Sequence, residues 1–420
     1  MLDHICNQGE SASRSTPRGW LRCAVLVLVS TLAVRNAHAQ ATDALPTPFN
    51  PDAVVRYVAQ HRAEIASGMA EARALAQRPA LVGALPDPMI MVSADHIPFS
   101  GMGVDGSVLV QQEFPLSGVL GARRRAAEAA AEARRLQVGE TTLDATWQAL
   151  QAFHMLAGTR RVVEVFDAQV TLAGDVVRVA TARYAAGGSP QSDVLRAQTE
   201  VRRWAARRAS LTGEIESGEA MLNATLGRSG SLAIPELVTG PDEEPEPVDV
   251  QVAEALRGRP ELAAVEATRR RYRAEVTAMR AMYAPMAFVR AGPSMTMTEG
   301  AGAMVMVGVS VPIWRGRLAA GVAEARAMGS MADAELRGAR TMIEGEVRAA
   351  LGALASARVR SRALRDEVEP SAQQALRATL AAYAAGQAPL VAAIEAAAAL
   401  RMVQEERVMA EVNVGLARAA

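Results

Sequence analysis

The stretch VMVGVSVPIWRG, running from Val305 to Gly316, changes its period in the middle, and that change decides the fold. Val305, Val307, Val309 and Val311 fall on one face of a two-residue alternation, with Gly308 and Ser310 on the other, which reads as a half-exposed strand. After Pro312 no proline recurs until Pro370, and the residues between are rich in Ala, Glu, Arg and Leu. Those are strong helix formers, so the strand passes into a long helix. The same passage occurs earlier. Val108, Val110 and Phe114 alternate with Ser107, Gln111 and Glu113, and Pro115-Leu116-Ser117-Gly118 then opens a proline-free stretch that lasts to Pro190.

Working outward, the chain carries the same plan twice. Ala63-Glu64-Ile65 opens a helical stretch ending at Pro88-Met89-Ile90-Met91-Val92, and Pro260-Glu261-Leu262 opens another ending at Pro285-Met286-Ala287-Phe288-Val289. Each copy closes on a tight turn, Tyr184-Ala185-Ala186-Gly187-Gly188-Ser189-Pro190 and Tyr383-Ala384-Ala385-Gly386-Gln387-Ala388-Pro389. A repeat of this size is a duplicated domain, not a solenoid unit. The expected boundaries are a first repeat over residues 40–228, a proline-rich acidic linker over 229–249 with no core of its own, and a second repeat over 250–420. Within each, the order is helix, two strands, very long helix, turn, helix. The strands are expected to meet at Gly-rich tips, Pro98 to Gly106 and Gly292 to Gly302.

A helix of about 65 residues reaches about 100 Å, which no compact domain needs. Leu136, Leu143 and Leu150, then Leu156, Val163, Val170 and Val177, recur at seven-residue spacing with a slip between the sets, the mark of a coiled-coil seam. The fold class is therefore mainly α with a small β part. Four strands cannot close a barrel from one chain, and open edges are not tolerated in lipid. The strands thus belong either to a soluble sandwich or to a barrel completed by an oligomer.

Arg14, Arg18 and Arg22 precede an apolar run from Cys23 to Val34 and then Ala37-His38-Ala39, the layout of a secretory signal peptide over residues 1–39. Arg22 before Cys23 argues against lipidation. Cys6 and Cys23 both lie in that segment, so the exported chain is expected to have no thiol and no disulfide. No later stretch is apolar enough for a transmembrane helix, which leaves β-strands as the only route into a membrane. The net charge of zero gives no footprint for nucleic acid. The arginine clusters (Arg123-Arg124-Arg125, Arg202-Arg203 with Arg207-Arg208, Arg269-Arg270-Arg271) lie among Glu128, Glu132, Glu200, Glu214, Glu266 and Glu275 and read as solvated helix faces.

These features resemble the TolC family of outer-membrane efflux proteins, over about residue 50 to the C-terminus. Leu85-Pro86-Asp87-Pro88 before a strand, Pro115-Leu116-Ser117-Gly118 and Pro312-Ile313-Trp314-Arg315-Gly316 at strand-to-helix junctions, and the duplicated Tyr-x-x-Gly turns carry the resemblance. It implies a homotrimer in which each protomer gives four strands to a twelve-stranded outer-membrane barrel. Long antiparallel helices would form a periplasmic tunnel, and the heavy-metal-resistance branch looks nearest. The resemblance further implies a periplasmic adaptor (a membrane fusion protein) docking at the turns, through Tyr184, Gly187, Gly188, Ser189, Tyr383, Gly386 and Gln387. An inner-membrane pump of the RND or ABC type would supply the energy. It also implies an acidic ring at the entrance. The usual positions fall on Ala392 and Glu395 in the second copy and on Asp193 and Arg196 in the first, giving Asp193 and Glu395 as gate candidates. The other reading makes both ordinary N-terminal helix carboxylates.

No catalytic motif, cofactor fingerprint or metal-ligand spacing occurs, so no enzyme, cofactor or structural metal is expected. Asp95-His96, near an outer loop, reads as an incidental polar pair ahead of a passing metal contact. Met89, Met91, Met295, Met297, Met304 and Met306 suit either a soft-ion duct for copper or silver or plain apolar packing. Pro115, Gly118, Pro312, Trp314 and Gly316 mark the strand-to-helix junctions, and Phe114, Trp314 and Tyr283 suit an interfacial belt, with Tyr283 expected to begin a strand. The expectation is an outer-membrane exit duct for small molecules or metal ions. The rivals are a periplasmic coiled-coil adaptor or scaffold, and the exit duct of a type I protein secretion system.

Overall fold

A computed structural model describes residues 44–96, 105–241 and 243–420, with the backbone alone at His96. The signal-peptide stretch, the tip between the first two strands (including Gly101-Met102-Gly103) and the His96 side chain lie outside the described residues. In chain order the first repeat comprises α1 (Pro51–His61), α2 (Ala63–Leu75), α3 (Arg78–Gly83), β1 (Met89–His96), β2 (Asp105–Pro115), α4 (Val119–Ala185) and α5 (Gln191–Leu226). The second comprises α6 (Val248–Gly258), α7 (Pro260–Ala281), β3 (Met286–Thr296), β4 (Gly300–Ser310), α8 (Arg315–Ala363), α9 (Glu369–Ala384) and α10 (Leu390–Ala419). The paired elements α1/α6, α2/α7 and β1/β3 each begin 197 residues apart. Among the described residues no helix is long and apolar enough to cross a membrane.

The 67 residues of α4 span about 100 Å. Its inner stripe follows the three-four spacing of a heptad through Phe166, Gln169, Ala173, Val176 and Ala180, all buried. This corrects part of the seam expected from the large aliphatics, of which Leu150 and Leu156 are buried. Val163, Val170 and Val177 flank it half-buried, Leu136 is half-buried and Leu143 is 48% exposed. Small residues set the seam because they let the helix axes approach closely. A Cβ at Gly158 would collide with Val412 of α10, one at Gly415 with the His154 ring, and one at Gly139 would lie 2.8 Å from Pro260 of α7. The arginine clusters behave as solvated faces, with Arg124–Glu128 at 2.9 Å and Arg271–Glu275 at 2.8 Å as i,i+4 pairs.

Pro370 does not end the second long helix. Leu364–Val368 widens into a π-helical turn, which lets the chain run on into α9 past a residue with no N–H to donate. Beside this turn Glu369 accepts hydrogen bonds from Gln373 and Gln404 and pairs with Arg407 at 2.7 Å, while Gln404 also accepts from Gln169 of α4. This polar link ties α9, α10 and α4 together toward the turn end of the rod.

The linker is extended but not loose. Ile234 is buried against Phe49, Val54 and Phe153, Arg160 donates to the carbonyls of Ile234 and Pro235, and α6 begins at Val248. The four strands form one antiparallel sheet in the order β1-β2-β3-β4. β3 and β4 pair from Met286–Ser310 out to Thr296–Gly300. The expected Gly292–Gly302 tip is therefore mostly strand, with a three-residue turn closed by Gly300 at φ 77°. Tyr283 lies in the turn between α7 and β3, so it does not begin the strand.

Candidate functional site

Two regions carry the candidate residues, at opposite ends of the rod. At one end the sheet has two unlike faces in register. Ile90, Val92, Val108, Val110, Val289, Val305, Val307 and Val309 point one way, with Val305 71% and Val307 70% exposed. The opposite face holds Ser93, Ser107, Gln111, Glu113, Arg290 and the methionines Met89, Met91, Met304 and Met306. Ser93 and Ser107 share a hydrogen bond of 2.8 Å, and Arg290 Nε donates to Gln111 Oε1 at 2.5 Å. One apolar face and one wet face is the pattern of a barrel wall between lipid and water. Both outer strands, β1 and β4, present unpaired edges in the protomer.

Where the sheet meets the rod, Pro115 ends β2, and Gly118 and Trp314 stand at the N-caps of α4 and α8. Pro312 lies in the link to α8, and Gly316 is its second residue. Phe114, Leu116, Val311, Ile313 and Trp314 are all exposed there, Trp314 by 73%. They make an apolar collar at one level of the molecule. Arg315 lies 5.7 Å from the Tyr283 ring and places that side chain at the same level.

At the far end, the two turns close by the same chemistry. α4 stops as Gly187 N–H donates to Tyr184 O and Gly188 N–H to Arg183 O, at 2.9 and 2.8 Å. α9 stops as Gly386 N–H donates to Tyr383 O and Gln387 N–H to Ala382 O, at 3.0 and 2.8 Å. Gly187 and Gly386 take φ of 72° and 78°, which L side chains disfavour, and Pro190 and Pro389 start the returning helices.

The equivalent tyrosines differ. Tyr184 is 47% exposed, whereas Tyr383 is fully buried among Val176, Ala180, Ala197, Leu390 and Ala393. Burial first, and then the Asp193 carboxylate, push the Tyr383 hydroxyl up from its usual value; the Ser189 hydroxyl and Arg183 act the other way. Arg183 joins the two tips. Its guanidinium lies 4.6 Å from the Tyr383 ring centroid, donates to the Tyr383 carbonyl, and donates to Gly188 O at 2.9 Å. Sequence reading passed over Arg183. The available signal was that the second copy has Ala382 at the matching place, so the repeats differ there.

Asp193 sits half-buried in the first turn of α5, facing Tyr383, while Glu395 is exposed near the start of α10. The two stand at non-equivalent places in the repeat, because Asp193 matches Ala392. Among the described residues Glu395 has no ion-pair partner, and no cluster of His, Cys, Asp and Glu could hold a metal ion.

Residues 252–420 match the family model described as outer membrane efflux protein. Among curated proteins none matches the chain. Its fold is similar to the outer-membrane channel OprN, with 17% identity over 88% of each chain and a TM-score of 0.73. It is similar also to the outer membrane protein VceC from Vibrio cholerae, with 16% identity, coverage of 88% of this chain and 94% of that one, and a TM-score of 0.73. It is similar also to CusC, with 15% identity over 88% of this chain and 91% of that one, and a TM-score of 0.67.

Proposed function

We propose that this chain is a TolC-type outer membrane efflux protein and the outer-membrane exit duct of a tripartite efflux system, a reading supported by the family match over residues 252–420 and by the fold. The single observation that carries the reading is the sheet: an apolar face and a polar face in register, with two open edges, fixed to a rod of about 100 Å. Open edges in lipid leave backbone N–H and C=O groups without partners, so three protomers would close the sheet into a ring by pairing β4 of one with β1 of the next. The exposed collar of Phe114, Ile313 and Trp314 then lies at the periplasmic surface of the membrane. The helices continue into the periplasm, and the Tyr184 and Tyr383 turns meet the adaptor and, through it, the pump. Asp193 and Glu395 narrow the entrance.

The duct is passive and involves no covalent step; cargo is small molecules or metal ions selected mainly by the partner pump. Fractionation of a Gram-negative host expressing the chain tests this. The protein should stay with the outer membrane through a carbonate wash and run as a heat-sensitive oligomer. A protein that washes off is the periplasmic scaffold instead. A susceptibility panel with the gene removed and restored separates cargo classes. Sensitivity to copper or silver alone assigns the wall methionines a role, sensitivity to dyes and detergents leaves them as packing, and lost export of a protein indicates secretion.

A further inference from the structure

The polar face of the sheet carries one arginine, Arg290, in the middle of β3 and the sole arginine of the four strands. Its surroundings hold it in place. Met89, Gln111, Arg290 and Met306 stand in one row across the sheet, and Glu113, Phe288 and Gly308 in the adjacent row toward the rod. The guanidinium lies 4.9 Å from the Phe288 ring centroid, donates from Nε to Gln111 Oε1 at 2.5 Å, and places Nη1 3.9 Å from the Met306 sulfur. Phe288 can lie flat there because a Cβ at Gly308 would run into its ring. Gln111 in turn donates to Glu113 at 3.2 Å. Among the described residues no carboxylate comes within ion-pair distance of Arg290. A charge fixed to a wall on an aromatic shelf, and not neutralised, acts on whatever passes it.

We infer that Arg290 sets the charge preference of the barrel stage of the duct, favouring anionic solutes over cations at mid-barrel, with Glu113 opposing it on the side of the rod and the carboxylates proposed at the far entrance acting separately in the opposite sense. The inference rests on the channel reading above, in which three copies put a basic ring round the lumen.

The test is reversal potential across a planar bilayer holding the full exported chain, in a KCl gradient near 0.1 M. Arg290→Gln should lower the chloride-to-potassium permeability ratio about threefold, Arg290→Lys should keep it, and Glu113→Gln should raise it. The differences should fade near 1 M salt, where the screening length falls to about 3 Å. An unchanged ratio in Arg290→Gln, or in Glu113→Gln should Arg290→Gln form no channels, overturns the inference while leaving the channel standing. A wild-type chain that never conducts overturns the channel reading and the inference with it.

Discussion

Replacing Arg183 with alanine should loosen a turn that lies 200 residues away in sequence, because that one side chain holds both tips together. Three contacts disappear: the cation–π stack on Tyr383, the bond to the Tyr383 carbonyl and the bond to Gly188 O. The stack contributes about 1 kcal/mol, and each charged hydrogen bond about 1 kcal/mol once its half-exposed setting is discounted. The Gly188 bond lies within the first turn, so the stack and the Tyr383 carbonyl bond that reach the second total about 2 kcal/mol, too small a share of a chain of this size to move global unfolding much. It is large for a local opening, where it means roughly thirtyfold. Amide hydrogen exchange on the full chain in detergent reads it directly. Gly386 and Gln387 N–H groups, bonded to Tyr383 O and Ala382 O, should exchange about thirtyfold faster. Arg183→Lys should fall between, since lysine keeps the charge and loses the planar fork. Exchange at those two amides within about threefold of wild type would refute the latch. Faster exchange confined to Gly187 and Gly188 would do the same, since the effect would then be local to one turn.

Gly158→Ala should destabilise the α4–α10 contact by about 1–3 kcal/mol through collision with Val412, whereas Gly174→Ala, with open space around it, should be neutral or slightly stabilising in thermal unfolding. Glu369→Ala should cost about 2 kcal/mol in denaturant unfolding by removing the partner of Gln373, Gln404 and Arg407, with Glu369→Gln costing less. Burial first, and then the charge of Arg418, lower the affinity of His154 for protons. The unfolded chain therefore binds the proton more readily, so stability should fall as pH drops below the ordinary histidine value of 6.5. A His154→Gln variant should lose that part of the pH dependence, and matched denaturation curves from pH 7 to pH 5 would expose its absence.

The architecture was legible where one physical constraint dominates a run of residues. Alternating valines gave β4, the absence of proline gave α4, and Gly187 and Gly386 gave the turns because only glycine takes that backbone comfortably. Legibility failed where the partner of a residue decides its role. The seam of α4 runs through Ala173 and Ala180, residues whose hydrophobicity is unremarkable but whose size admits a close neighbour. The π turn that carries the helix past Pro370 left no signal in the sequence. Tyr184 and Tyr383 are the same letter in the same motif, one exposed and one buried, because the neighbouring tip covers only the second. Arg183 and Arg290 look like any other arginine until the opposing ring and carbonyls are placed beside them.

Disulfide trapping across the sheet edges tests most directly that protomers complete one another in the membrane. The chain's two cysteines, Cys6 and Cys23, are first replaced by serine, so that an introduced pair supplies the only thiols. Cysteines paired at Met91 or Ser93 of β1 and at Met304 or Met306 of β4 cannot meet within one protomer, because β2 and β3 lie between those edges. Oxidation in intact outer membranes should yield dimers and trimers on boiled, non-reducing gels for at least one register, with nothing larger than a trimer. Monomers alone at every register tried, or a ladder running on past three, would contradict the closed three-protomer barrel.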